Sequence, residues 1–134
     1  MNTELSRDKI RTFRDLHAWQ EAHTLVLAVY VLSKKFPREE LFGLTSQLRR
    51  AAVSITLNLA EGFSRTSYKE KANFYSIGLG SLTESQNQLI LALDINYITK
   101  DDFDDIWNQS IIVSKLINGL LKSTKSYSLS IHTS

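Results

Sequence analysis

Residues 15–37 read DLHAWQEAHTLVLAVYVLSKKFP, and the apolar residues recur at helical spacing. Trp19, Ala22, Val26, Val29 and Phe36 form one stripe, with His23 and Tyr30 beside it. Leu25, Leu27, Val31 and Leu32 lie outside that stripe, and the polar wedge is only Gln20, Glu21, Thr24 and Lys35. A helix apolar around roughly two-thirds of its circumference is buried on more than one side. In a chain of 134 residues the second side is expected to face another subunit. Asp15 is a suitable N-cap for this helix. Pro37 ends it, because the residue before a proline is pushed out of the α region.

The same period returns three more times. A short turn over Arg38–Leu41 precedes Gly43, and a second helix is expected from Leu44 to Gly62 or Arg65, with Leu44, Leu48, Ala51, Ile55 and Gly62 on its seam. Ser67 and Glu70 have the spacing of a capping box and start a third helix that runs to about Asn96. Gly78 and Gly80 lie inside it. Glycine costs about 1 kcal/mol there relative to alanine, so the pair points to close helix packing. Asn96–Thr99 is a short connection, which makes the third and fourth helices antiparallel neighbours. Thr99 caps the fourth helix, whose stripe is Phe103, Ile106, Val113, Ile117 and Leu120. The chain is therefore expected to be all-α, an antiparallel up-down-up-down four-helix bundle over residues 15–122. A loose polar arm is expected over 1–14 and a frayed Ser/Thr-rich tail over 123–134.

Composition narrows the function classes. At 43% hydrophobic and 22% charged residues the chain is globular rather than disordered. It has no cysteine, which excludes disulfides, thiolate metal sites and a cysteine nucleophile together. The opening residues hold no apolar run of signal-peptide length, and nothing approaches the roughly 18 apolar residues of a membrane span, so a cytoplasmic location is expected. Net charge is +2, but the charge is segregated. Residues 46–75 set Arg49, Arg50, Arg65, Lys69 and Lys71 against Glu61 and Glu70, whereas 99–106 sets Lys100 against four aspartates.

None of the candidate catalytic or metal patterns completes itself. His17 and Glu21 are four apart on a helix, but two ligands are not a site, and no Glu-x-x-His pair of the di-iron kind occurs. An EF-hand starting at Asp101 needs Gly and Glu where Ile106 and Ile112 stand. Those aspartates instead suit the positive end of a helix dipole. Gly78-Leu79-Gly80 lacks the third glycine and the preceding strand of a dinucleotide fingerprint. The expectation is a protein with no catalytic residues, no metal and no cofactor. Asn58 and Glu61 are read as structural polar residues. Asn58 falls on an apolar seam, where it needs hydrogen-bond partners, and Glu61 opposes the dipole near a helix end and calls for a cation such as an arginine. Arg49 and Arg50 point about 100° apart on their helix, so one can pair internally while the other meets solvent or a partner.

Several short patterns, taken in order, carry a resemblance. Phe13, Leu16 and Trp19-Gln20 precede Phe36-Pro37, Glu40 and Gly43-Leu44. Next come Gln47-Leu48-Arg49-Arg50-Ala51-Ala52, Ser54-Ile55, Asn58, Ala60-Glu61-Gly62 and Gly80-Ser81-Leu82 with Glu84. Together they resemble the bacterial 23S rRNA intervening-sequence proteins over about residues 13–122. The resemblance implies a four-helix protomer, a homopentamer and a kinship with the accessory variability determinant of diversity-generating retroelements. That relative is a basic barrel that associates with nucleic acid and a reverse transcriptase. The function expected is accordingly a non-enzymatic oligomer that binds RNA or DNA through Arg49, Arg50, Arg65, Lys69 and Lys71, without sequence specificity. The alternative is a structural or protein-interaction module with no nucleic-acid binding, serving a protein partner encoded nearby.

Overall fold

The computed structural model describes residues 10–133, with side chains through Tyr127. The described residues contain four α-helices and no strand: α1 (His17–Ser33), α2 (Leu44–Ser64), α3 (Tyr68–Asp94) and α4 (Lys100–Thr133). Each helix packs on its neighbours in sequence, and α4 closes the ring by packing on α1. The topology is up-down-up-down, as the short connections require. One end of the bundle therefore carries the α1–α2 and α3–α4 connections. The other carries the start of α1, the α2–α3 connection and the later turns of α4.

The core lies where the four stripes meet. Leu25 and Val29 of α1, Leu48, Ile55 and Leu59 of α2, Leu82 and Leu89 of α3, and Val113 and Ile117 of α4 are all essentially inaccessible. Burying each such side chain contributes about 1.5–3 kcal/mol before entropy is set against it. Polar bonds between connections fix the register at the first end. Lys35 Nζ meets Asp102 Oδ2 at 2.7 Å, and the Tyr97 hydroxyl donates to Glu40 Oε2 at 2.7 Å. Asn96 takes φ of 65°, the left-handed conformation that asparagine tolerates, and so turns the chain out of α3.

Local details depart from the sequence expectation in four places. Asp15 does not cap α1. Its Oδ2 accepts the Arg11 and Thr12 N–H groups at 2.9 and 3.0 Å and closes a separate 3-10 turn, Phe13–Asp15, so α1 begins two residues later with Leu16 as an uncapped lead-in. The expected arm is therefore folded from Thr12 onward, where the Phe13 ring packs edge-on against Trp19 at 5.3 Å. Residues 1–9 of that arm lie outside the described residues. Helix α4 continues through 123–133, the segment expected to fray. Leu121 and Thr124 are buried against the bundle, and Tyr127 packs on Tyr68 at 5.0 Å between ring centres.

The glycines supply the remaining departure. A Cβ on Gly80 would meet nothing within 4 Å, and one on Gly78 would make ordinary contacts at 3.5 Å with Asn58 and Ile55. The helical glycine with least room for a side chain is instead Gly62 of α2, where a Cβ would come within 2.6 Å of the Tyr75 ring and 3.1 Å of Phe74 Cβ. Two caps do form as their spacing indicates. Ser67 Oγ accepts the Glu70 N–H at 3.1 Å, and Thr99 Oγ1 accepts the Asp102 N–H at 3.1 Å.

Candidate nucleic-acid interface

The five cations singled out in sequence do not form one patch. Arg49 and Arg50 stand early in α2, and Arg65 follows its last residue. At 1.5 Å per residue, Arg50 and Arg65 are about 22 Å apart along the axis. Arg49 is half-buried. Its Nε donates to Ser33 Oγ at 2.8 Å, and its guanidinium lies 4.8 Å from the centre of the Tyr30 ring. Arg50 is exposed and lines a cleft with Glu84.

The other three gather at the α2–α3 connection, each differently employed. Arg65 meets Glu61 at 3.2 Å, one helical turn away, and its guanidinium sits over the Phe74 ring. Glu61 is partly exposed and Arg65 is exposed. Lys71 is turned inward. Its Nζ donates to the Phe63 carbonyl at 2.6 Å and the Gly62 carbonyl at 3.4 Å, so the ammonium caps the negative end of α2. Partial burial pushes its pKa below the ordinary lysine value. Lys69 is exposed and lines a shallow groove with Lys125 of α4.

Topology brings further cations to this same end. Arg11 and Arg14 come from the turn before α1, and Lys122 and Lys125 from the late turns of α4. The turn carrying Arg14 packs on α1 and α2, and Tyr127 of α4 reaches the first residue of α3. Arg11, Arg14, Arg65, Lys69, Lys71, Lys122 and Lys125 thus share one end of the bundle with Asp15, Glu61 and Glu70. The opposite end carries Glu39, Glu40, Asp94 and the four aspartates of early α4 against Lys34, Lys35, Arg38 and Lys100. The molecule is electrostatically polar along its axis, basic at one end and acidic at the other. Arg11, Arg14 and Lys125 escaped notice in the sequence because they lie in segments read as arm and tail, and Lys122 because it is the last residue of the expected bundle. Their only signal there was the positive balance of both segments.

Beside the basic end, Phe13, Trp19 and His23 form a row of rings, Phe13 edge-on to Trp19 and Trp19 nearly parallel to His23 at 4.8 Å. Asn58 bonds within its own helix. Its Nδ2 donates to the Ser54 carbonyl at 2.8 Å and to Ser54 Oγ at 3.1 Å, and Ser54 Oγ lies 2.9 Å from Ser81 Oγ of α3. That polar relay joins α2 to α3.

The described residues show no group of three or more His, Cys, Asp or Glu arranged to hold a metal ion. No helix among them is long and apolar enough to cross a membrane. Burial pushes the Tyr75 pKa up to about 12, so its hydroxyl stays neutral at physiological pH.

The 23S rRNA-intervening sequence protein family model matches residues 14–119. A solved structure from Bacteroides thetaiotaomicron, a protein with unknown function from the S23 ribosomal protein family, superposes with a TM-score of 0.73. The two chains are 24% identical, and the match covers 78% of this chain and 98% of that one. At this identity the likeness speaks for the fold alone. No curated protein matches the chain.

Proposed function

The chain belongs to the 23S rRNA-intervening sequence protein family, and on that premise we propose that it is a non-enzymatic, self-assembling helical scaffold that holds the backbone of RNA or DNA against its basic end. The observation that carries this is the gathering of cations from the start of α1, the α2–α3 connection and late α4 at one end of the protomer. Arg11, Arg14, Arg65, Lys69, Lys122 and Lys125 are exposed there. Phosphate contacts are individually weak, and affinity rises with the number engaged together. Assembly repeats the basic end once per subunit and multiplies those contacts. The implied pentamer would present five copies. No base-reading element is present in the sequence, so binding depends on charge and shape rather than on base order.

The test is fluorescence anisotropy with labelled RNA and DNA of mixed sequence, at low and moderate salt. Wild type is compared with Arg65→Glu/Lys69→Glu and with Lys122→Glu/Lys125→Glu. Both pairs lie on the outside of helix ends, so the core is spared. Binding is expected to fall steeply with salt and to weaken at least tenfold in each pair. Binding that is absent at low salt, or unchanged in still-helical variants, defeats the proposal and favours the interaction module without nucleic acid.

A further inference from the structure

The outer side of α1 is apolar from flank to flank. Val31 is 65% exposed and Leu27 55%, values that are costly for large aliphatic residues on one helix face. A groove opens on each flank, and the two differ in charge. The α1–α2 groove, of 710 Å³, holds Tyr30, Val53 and Leu57, with Phe42 projecting beside them 93% exposed. Its charged lining residues are Arg49 and Arg50. The α1–α4 groove, of 520 Å³, is lined by Leu27, Val31, Leu32 and Ile106 and rimmed by Asp102 and Asp105. The lysine on that rim, Lys35, is held by Asp102. Arg49, Arg50 and Asp105 enter no ion pair among the described residues.

We infer that these grooves are the two halves of one contact between copies of this chain, the arginine-lined α1–α2 groove of one copy seating against the aspartate-rimmed α1–α4 groove of the next. The inference rests on the assembly proposed above and names its surfaces. Charge selects the pairing. A two-fold contact of the first groove with itself would set arginine pairs against each other, whereas the unlike pairing sets arginines against aspartate. Apolar area supplies the attraction, and Phe42 supplies the projection on an otherwise shallow surface. Because the two grooves lie on either flank of the same helix, each copy is rotated relative to the last. A head-to-tail contact of this kind gives a ring where the rotation closes and a helical filament where it does not.

The experiment uses two full-length variants altered only at exposed positions. Phe42→Ser/Arg50→Ser disables the first groove, and Val31→Ser/Asp105→Ser disables the second. Light scattering coupled to size exclusion, at tens of micromolar, reads the mass, and circular dichroism checks that both variants remain helical. Wild type is expected to be oligomeric. Each variant alone is expected to fall to the 15.3 kDa of one chain. An equimolar mixture is expected to form a complex of two chains and stop there, since each variant keeps the half that the other lacks. If wild type is oligomeric but the second variant alone stays so, the unlike pairing is overturned and the assembly stands. If wild type is a monomer, both fall. Variants that remain monomeric when mixed also overturn the pairing.

Discussion

Gly62 and Gly80 are both helical glycines, and the structure assigns opposite signs to their replacement by alanine. At Gly62 the added methyl would lie 2.6 and 2.8 Å from two atoms of the Tyr75 ring and 3.1 Å from Phe74 Cβ. Tyr75 is 2% exposed and stands among the core residues, so its ring has little room to withdraw. Overpacking of this kind costs about 1–3 kcal/mol. Relief of the glycine penalty returns at most about 1 kcal/mol, and less in the last turn of a helix, leaving a net loss of about 1 kcal/mol. At Gly80 the methyl meets nothing within 4 Å, so the helix gain of about 0.5–1 kcal/mol stands alone. For a domain of this size 1 kcal/mol moves the melting temperature by about 4 °C. Thermal unfolding followed by circular dichroism should place Gly62→Ala about 4 °C below wild type and Gly80→Ala a few degrees above it. A Gly62→Ala protein as stable as wild type would refute the close α2–α3 approach. A destabilised Gly80→Ala would mean that this surface is covered.

Ile55→Ala removes a fully buried side chain from the centre of α2 and should cost about 2–5 kcal/mol, lowering the melting temperature by at least about 8 °C. Ser67→Ala deletes the acceptor for the Glu70 N–H and should cost about 1 kcal/mol with no change in helix content, read in the same unfolding scans. The Tyr97 hydroxyl, and then the Leu44 N–H, hold the Glu40 carboxyl below its ordinary pKa of 4.5. Lys35 and Thr99 do the same for Asp102 below 3.8. A depressed carboxylate stabilises the fold above its ordinary pKa and loses that contribution as pH falls through the lower, folded value. Melting temperature should therefore be level near neutrality and decline below about pH 4.5. Tyr97→Phe should have the shallower acid-side decline of the two proteins, and identical profiles would dissociate that bond from the acid response.

The helices were legible because their signals are local. Apolar residues three and four apart, Ser67 and Thr99 at cap spacing, and Pro37 after Phe36 all act within one or two turns, so the primary sequence specifies them. Short connections then leave antiparallel neighbours as the direct route, which determines the bundle. Glu61 and Arg65 stand one turn apart on the same segment. What sequence could not specify depends on groups that meet across the fold. Gly78 and Gly80 looked like the close approach, yet Gly62 is the constrained one, because crowding depends on which ring of α3 faces it. Asp15 has the chemistry of a helix cap but closes a preceding turn, since Thr12 and Arg11 present their N–H groups first. Arg49 and Arg65 are close in sequence and separated along the bundle, while Arg14, Lys69 and Lys125 are remote in sequence and share one end. Charge along a chain is a one-dimensional tally, whereas the field at a surface sums over whatever the topology brings together. The helices were therefore determined by the sequence alone, and the polarity of the molecule by the way they pack.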